Sequence, residues 1–415
     1  MTDMYYHAQT MISKIIEENL PNEAVTRALS SHDMGEKTYL VAIGKAAWTM
    51  ANAASRFLGD AIQKGVVITK YGHSQGKIPN MDIYEAGHPI LDDNTVKASE
   101  AALALADDLT AKDTLLFLVS GGGSALFESP KDGISLEEIG EITRALLSKG
   151  ANITEINMIR KRFSKVKAGG FAQICKPAKI FSVVLSDVLG DRLDTIASGP
   201  AVPDMSTCDE ALHIAKKYGL SLTPIQKMHL NQETPKVIDN VKTIITGSVR
   251  SLCQSAADCA MTLGYTPYSL TTSLDCQAAE AGKFLAALAR DIQEGHSHYK
   301  KPCAIIVGGE TVVHVTGSGK GGRNQELALA AAKGISGLEN TTIFSLGSDG
   351  TDGPTDAAGG IVDGNTASDL SNNNIDIEDV IKNNDSYNAL KTVNGLIITG
   401  PTGTNVNDVA VVLCR

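Results

Sequence analysis

A glycine-rich loop follows the apolar run TLLFLV and contains Ser120, Gly121, Gly122, Gly123 and Ser124. Glycines let the backbone come close to an anion and present N–H groups to it, which a Cβ atom would hinder. The apolar run is typical of a buried strand, and ligands of open α/β sheets bind at the carboxyl ends of strands. The segment therefore predicts a loop that contacts phosphate oxygens, with a flexible turn as the alternative.

Lys45 also follows an apolar run, TYLVAI, and it precedes the helical pattern KAAWTMANAA. An ammonium group at the start of a helix makes a small phosphate site. The sequence has no G-x-x-x-x-G-K-[ST] motif, so this is not a Walker P-loop. An ordinary surface lysine is the alternative.

Five basic residues lie within eight positions of this acidic chain: Arg160, Lys161, Arg162, Lys165 and Lys167. Such a run is typical of a solvated helix face. It could equally supply the local positive charge that captures a small anionic substrate. Both interpretations stay open at this stage.

Two groups of carboxylates follow apolar runs. Asp187 and Asp191 come after FSVVL, and Mg²⁺ prefers one or two carboxylates together with water and substrate phosphates. A capping aspartate is the alternative, and it is the stronger one for Asp191. Asp349, Asp352 and Asp356 lie in the loop SDGTDGPTD, where three carboxylates suit metal coordination or proton acceptance, with Asp-Gly turns as the alternative.

The segment GSGKGGRN contains a literal G-x-G-x-x-G that ends at Gly322. A dinucleotide site also needs an acidic residue about 20 positions on, and the strand-end candidate, Asp349, comes late. Lys320 and Arg323 lie in or beside the loop, where charged groups favour a clamp on phosphate oxygens. An NAD(P)-dependent dehydrogenase is therefore the alternative function.

Small polar side chains separate glycines near the end of the chain, in TGPTGTNVND. Hydroxyl and amide groups suit contacts with phosphate or sugar oxygens, which makes candidates of Gly403, Thr404 and Asn405. His88 precedes Pro89 in AGHPILDD, and we interpret it as a turn residue rather than a catalytic one.

Short apolar runs that end in glycine and precede alanine-rich helical patterns predict an α/β fold. We expect strands near residues 38–43, 65–69, 115–119, 180–185, 243–246, 303–307, 311–315, 342–346 and 395–399. The polar segment 222–237 contains two prolines and is the best candidate for a domain boundary. This predicts an α/β domain over residues 1–236 and a second α/β domain over 237–415.

The chain has 415 residues, which predicts two or three domains. Its formal charge of −10 argues against binding to nucleic acid or anionic membranes. Seven cysteines without short paired spacing, and no signal peptide or long apolar stretch, predict a soluble cytoplasmic protein that binds small molecules. Whether it forms a homo-oligomer stays open.

The motifs AIGKAA, AGHP, VSGGGSAL, INMIRK, SDVLGD, IASGP, GGETVVHV, GGRNQE, SDGTDGPTDAAG and TGPTGTNVND resemble those of the glycerate 2-kinase family. Members of this family are often labelled hydroxypyruvate reductase, and their C-terminal part is the MOFRL domain. The resemblance runs in the same order from about residue 5 to residue 413. It departs from the family at Arg162, at Ala168 and in the segment after His88.

The resemblance implies a Rossmann-like N-terminal domain, a second α/β domain with a mixed sheet, and an active site in the cleft between them. It implies transfer of a phosphoryl group from ATP to the 2-hydroxyl of D-glycerate, with Mg²⁺ as cofactor. By motif, the essential lysine falls on Lys45 and the essential arginine on Arg323, with a catalytic aspartate at Asp349. Asn157, Arg160 and Asn324 fall in motifs that line the site.

Overall fold

A computed structural model describes residues 3–415. The described chain divides into two compact units. The first unit contains residues 25–185 and 191–246, and the second contains residues 3–24, 186–190 and 247–415. None of the helices in the described range is long and apolar enough to cross a lipid bilayer.

Twelve strands form two sheets in the described residues. Their bounds are β1 Thr38–Ile43, β2 Ile62–Lys70, β3 Met81–Ala86, β4 Thr114–Val119, β5 Lys179–Leu185, β6 Val241–Gly247, β7 Thr266–Leu274, β8 Cys303–Gly309, β9 Thr341–Gly347, β10 Gly359–Asp363, β11 Leu396–Ile397 and β12 Asp408–Cys414.

The helices are α1 Asp3–Glu18, α2 Pro21–Ser30, α3 Ala47–Leu58, α4 Asp93–Asp107, α5 Gly123–Leu126, α6 Leu136–Ser148, α7 Ile153–Arg162, α8 Gly170–Ile174, α9 Cys208–Lys217, α10 Pro224–Leu230, α11 Val249–Thr262, α12 Ala278–Gln293, α13 Arg323–Gly334, α14 Thr366–Asn372, α15 Ile377–Lys382 and α16 Ser386–Thr392. Two short 3₁₀ helices cover Gly59–Ala61 and Ile196–Ser198.

The first sheet has the strand order β3-β2-β1-β4-β5-β6, which is the order of Rossmann-type doubly wound sheets. The pairs from β3 through β5 are all parallel. Strands β1, β4 and β5 are almost entirely buried, which explains why they read as continuous apolar runs. The order reverses between β1 and β4, so the loops that follow these two strands meet at the switch point of the sheet.

Helices α6, α7, α9 and α10 of the first unit share a hydrophobic core of their own. The segment 222–237, expected as the domain boundary, contains α10, and its Leu230 is fully buried in this core. The compact units divide after Thr246 instead, at the end of β6. The assignment of 1–236 and 237–415 to two family domains stays a prediction.

The second sheet has the order β11-β10-β9-β12-β8-β7. Strand β12 is antiparallel to both β8 and β9, whereas β7 and β8 are parallel. Helices α12 and α13 contribute apolar faces to the core of this unit. The predicted fold class, a Rossmann-like parallel-sheet domain with a second α/β domain containing a mixed sheet, is confirmed.

The expected strand over residues 311–315 is wrong. A hairpin with the preceding strand would need a free edge of β8, but β7 and β12 occupy both edges. Val312 and Val315 are instead 50% and 77% exposed. The sequence-based assignment also missed β3, β7, β10 and β12.

Candidate functional site

Two loops of the first unit meet at the switch point of its sheet, where ligands of doubly wound folds bind. The backbone N–H of Lys45 donates to the carbonyl of Gly121 at 2.9 Å, and the N–H of Ala46 donates to Ser120 Oγ at 3.1 Å. Gly44 has a φ of +111°, and a Cβ atom there would collide with Ser120. The sequence therefore fixes Lys45 directly beside the predicted glycine loop.

The Lys45 side chain is half-buried, and no carboxylate pairs with it among residues 3–415. Gly122, with a φ of +88°, precedes the first turn of α5. Lys45 Cε lies 3.3 Å from the point where a Cβ on Gly122 would sit. An uncompensated ammonium beside an open glycine backbone is a site for an anion.

A buried ion pair between Lys167 and Glu128 stabilises the end of the glycine loop. Lys167 Nζ donates to the carbonyls of Ser124 and Phe127, each at 2.9 Å, and lies 3.3 Å from Glu128 Oε2. Burial lowers the pKa of Lys167 to about 8, and Glu128 opposes that fall. The hydroxyl of Ser124 lies 2.9 Å from that of Ser198.

The basic residues between positions 160 and 167 form neither a solvated helix face nor, as a group, a site for an anionic substrate. Lys161 and Arg162 are buried and lie near Asp204, while Lys167 pairs with Glu128. These three cations balance buried carboxylates, so they are neither a solvated face nor free for a substrate. Arg160 is different, because it lines the cavity described next.

A cavity of about 890 Å³ opens beside the glycine loop. Arg160, Gly122, Ser124 and His88 line one part of it. Residues of α5, of α6 and of the segment 89–93 line the rest, and they include both apolar and charged side chains. Asn157 lies one helical turn before Arg160 but lines a different cavity of about 550 Å³. The structure thus brings Arg160, but not Asn157, to the glycine loop.

His88 is the residue that sequence reasoning missed. Its ring atoms Cδ2 and Nε2 lie 3.0 Å from the point where a Cβ on Gly122 would sit, close to Lys45. Burial and the nearby cations lower its pKa. The signal available in the sequence was its place directly after a strand, since Gly87 and His88 follow β3 as Lys45 follows β1.

Gly122→Ala should lower activity in addition to the stability that is lost by placing alanine at a positive φ. Gly150 also has a positive φ, +78°, but no atom lies within 4 Å of its missing Cβ. We expect Gly122→Ala and Gly150→Ala each to lose about 1 kcal/mol of stability. Only Gly122→Ala, whose methyl group meets His88 and Lys45, should lower kcat/KM, by about 10²-fold. Equal kinetic effects in the two variants would contradict this placement of the loop.

The second unit presents Arg323 at the start of α13. Its Nε and Nη2 donate to the two carboxylate oxygens of Asp408 at 2.6 and 3.1 Å, and Nη1 donates to Glu310 at 3.0 Å. Burial raises the pKa of Asp408 to about 6, and pairing with Arg323 limits the rise. The guanidinium is one-third exposed and lines a cavity of about 610 Å³. It is fixed in direction yet open to a ligand.

The residues around Arg323 are engaged in the protein itself. Asp352 accepts from the backbone N–H groups of Asn324 and Gln325 at 3.2 and 2.8 Å, so the first turn of α13 already has an anion. The side chain of Asn324 is buried and accepts from Ser345 Oγ. Asn324 therefore supports the position of its neighbour Arg323.

The G-x-G-x-x-G loop does not form a dinucleotide cradle. Backbone N–H groups from Thr316 to Lys320 donate to Asn383, Asn384 and Asp385. Strand β8 ends at Gly309, well before Gly317, so no strand runs directly into the loop. These N–H groups are thus unavailable to a pyrophosphate, which removes the structural basis for the dehydrogenase alternative at this motif.

Two further predicted loops of the second unit lie together. Asp349 accepts from the N–H of Thr351 at 2.9 Å, and its carbonyl accepts from the N–H of Thr402 at 3.1 Å. Gly403, Thr404 and Asn405 follow in the same loop. Thr404 is buried, and its hydroxyl has no hydrogen-bond partner. The structure brings the SDG and TGPTGTN motifs together, while the roles of their side chains stay predictions.

Asp187 and Asp191 follow β5 and are both partly exposed. Asp187 belongs to the second unit and Asp191 to the first. Within residues 3–415, no three His, Cys, Asp or Glu side chains cluster as a ready metal site. One or two carboxylates still fit Mg²⁺, because water and substrate phosphates supply its other ligands.

Comparison with known proteins matches residues 7–231 to the family model described as a domain of unknown function, DUF4147, and residues 303–408 to the MOFRL family. The chain is 53% identical to the D-glycerate 2-kinase of Thermotoga maritima, over 97% of this chain and 96% of that protein. It is 42% identical to the glycerate 2-kinase of Pyrococcus horikoshii, over 91% and 87% of the two chains.

The crystal structure of glycerate kinase from Thermotoga maritima superposes with a TM-score of 0.96, at 53% identity and over 99% of both chains. The name hydroxypyruvate reductase occurs on a less similar relative from Agrobacterium vitis, 36% identical over 90% of this chain and 98% of that protein. The family models, the sequence identities and the shared fold agree: the chain belongs to the glycerate 2-kinase family.

Proposed function

We propose that the protein transfers the γ-phosphoryl group of ATP to the 2-hydroxyl of D-glycerate, giving 2-phosphoglycerate and ADP. The observation that carries this proposal is the Lys45 ammonium, which has no carboxylate partner in the described chain and lies against a glycine loop at the switch point of a doubly wound sheet. The names of the relatives supply the substrate, and the geometry supplies the charge that phosphoryl transfer requires.

Phosphoryl transfer depends on positioning and on neutralising charge, with little covalent chemistry from the protein. Lys45 would bind oxygens of the transferring group beside the N–H groups of the glycine loop. Arg323, oriented by Asp408 and Glu310, would bind phosphate or carboxylate oxygens through its exposed edge. Arg160 adds a third cation at the cavity of the first unit. Asp349, Gly403, Thr404 and Asn405 stay candidates for substrate contacts.

Mg²⁺ would neutralise phosphate charge when bound. Asp187, with Asp191 as the second candidate, would hold it directly or through water. We also retain two further predictions: a reaction in a cleft between domains and a cytoplasmic location. Whether the protein forms a homo-oligomer stays open.

A paired assay tests the proposed reaction against its alternative, an NAD(P)-dependent hydroxypyruvate reductase. With D-glycerate and Mg-ATP the protein should release ADP, and with hydroxypyruvate and NADH or NADPH it should give no turnover above the blank. Oxidation of either nicotinamide cofactor without ADP release in the first assay would contradict the proposal. The alternative is weaker because its name occurs only on less similar relatives and the glycine motif lacks free N–H groups.

Asp187→Asn should raise the Mg²⁺ concentration required for half-maximal rate by about tenfold or more, because the amide supplies no negative charge to the ion. The KM for D-glycerate should change less. Asp258→Asn, on the exposed side of α11, is the matched control and should change neither value. An unchanged Mg²⁺ dependence in Asp187→Asn would remove this residue from the metal role.

A further inference from the structure

His88 reaches the glycine loop from the far edge of the first sheet. It follows β3, which is three strand positions from β4, a distance of about 14 Å at the usual strand spacing. Its ring atoms nevertheless lie 3.0 Å from the point where a Cβ on Gly122 would sit, and Lys45 Cε lies 3.3 Å from the same point. The loop after β3 therefore crosses the sheet edge to place an imidazole beside the ammonium.

The loop that carries His88 is anchored at its far end. Asp92 accepts from the hydroxyl of Tyr71 at 2.7 Å and from the N–H of Thr95 at 3.0 Å, which also caps α4. Gly87 packs so closely on Ile90 that a side chain at 87 would collide with the Ile90 carbonyl. The position of the imidazole is thus built by contacts on both sides of it.

The ring itself is available to a ligand. In the part of the chain that the structure describes, neither ring nitrogen of His88 has a hydrogen-bond partner, and the side chain lines the cavity with Arg160 and Ser124. A polar ring that is half-buried, held in place and unbonded can form its hydrogen bond with a substrate.

Three basic groups lower the pKa of His88, and the cavity that it lines also contains Arg144, Arg160, Asp92, Asp93 and Glu137. Lys45 comes from the loop after β1, Lys70 from the end of β2, and His73 from the loop after β2. Burial is the largest cause that lowers the pKa of His88 below its ordinary value of 6.5, and these three groups lower it further. The imidazole is therefore neutral at pH 7 and able to accept a proton.

We propose that His88 is the proton acceptor for the substrate hydroxyl. This rests on the proposed kinase function. The hydroxyl oxygen forms a bond with the γ-phosphorus, and the bond from that phosphorus to the β–γ bridging oxygen breaks. ADP leaves with the bridging oxygen and its electron pair. The hydroxyl proton passes to His88 Nε2 and then to water, so that one proton is released for each ADP formed.

Substrate binding strengthens this base. Phosphate oxygens bound by Lys45 offset the positive charge that lowers the pKa of His88, so the pKa rises toward neutrality in the complex. The pH profile of kcat/KM reports the free enzyme, and that of kcat reports the bound one. We expect an acid limb with a pKa below 6.5 in the first profile and at a higher pH in the second.

His88→Gln and His88→Asn test the proposal, with His213→Gln on the exposed side of α9 as the matched control. Both His88 variants should lose about 10²- to 10⁴-fold in kcat and lose the acid limb of the kcat/KM profile. The control should match the wild type in both. An acid limb that persists in His88→Gln and His88→Asn, or a kcat within threefold of the wild type, would overturn the proposal.

A spectroscopic measurement covers variants that fail to fold. The histidines of the wild-type enzyme are labelled, and the His88 resonance is assigned by elimination, using variants of the other eight histidines. This resonance should titrate below pH 6.5. Its pKa should rise on addition of a non-hydrolysable ATP analogue, and an unchanged or lowered pKa would overturn the proposal. Wild-type enzyme that releases no ADP with D-glycerate would refute the kinase function instead, so the two failures are distinguishable.

Discussion

Lys45→Ala should lower kcat by about 10³-fold or more while leaving the melting temperature nearly unchanged. The expected loss is of the size seen when a cation that stabilises the transferring phosphoryl group is removed. Stability should hold, because the ammonium has no ion-pair partner within residues 3–415 and the loop is fixed through the backbone of Lys45. Steady-state kinetics and thermal unfolding of the same preparation measure both effects.

Lys64→Ala is the matched control, since Lys64 is an exposed lysine on β2 of the same sheet. It should retain wild-type kcat and KM. If Lys45→Ala turned over within threefold of the control, the ammonium would have no part in phosphoryl transfer, and Lys45 would be an ordinary surface residue.

Arg323→Ala should cost a similar factor in kcat, about 10³-fold, and should also weaken the fold. Loss of Arg323 should raise the pKa of the buried Asp408 carboxyl above the wild-type value of about 6, because Arg323 no longer stabilises the charged form. The folded state then binds a proton more tightly than the unfolded state, so stability falls as pH rises from about 4 through that pKa. The melting temperature of the variant should therefore drop more at pH 8 than at pH 5, relative to the wild type.

The double variant Arg323→Ala with Asp408→Asn separates the two effects. It removes the unpaired carboxylate, so the pH-dependent loss of stability should disappear while kcat stays low. Arg323→Lys should stay well below wild type as well, because an ammonium cannot pair with Asp408 in bidentate fashion and reach Glu310 as well. Arg56→Ala, an exposed arginine on α3, should be neutral. Full activity in the double variant would contradict a catalytic role for Arg323.

Much of the first unit could be predicted because its central strands are buried on both faces. TYLVAI and TLLFLV read as continuous apolar runs, and the glycines after them mark the sheet edge where Lys45 and Gly121 meet. The edge strand β3, MDIYEA, is only partly buried and lacks such a run. Missing β3 also hid the significance of His88, because its position depends on a loop that crosses the sheet.

In the second unit, local patterns conflicted with the order of the strands. TVVHV, with Val312, has the composition of a strand, but strand order leaves it no edge of β8 to pair with. β12 takes one of those edges although it lies some hundred residues later, and no local signal indicates such a pairing. Likewise, the burial of Lys161 and Lys167 depends on Asp204 and Glu128, which are distant in sequence.

Identification of the product tests the proposed function most directly. Wild-type enzyme should be incubated with D-glycerate and Mg-ATP, and the product analysed by proton-coupled ³¹P NMR. A new phosphate ester split into a doublet by the single proton on carbon 2, in an amount equal to the ADP formed, is the predicted result. An ester split by the two protons on carbon 3, or ADP formed without any ester, would contradict phosphorylation at the 2-hydroxyl.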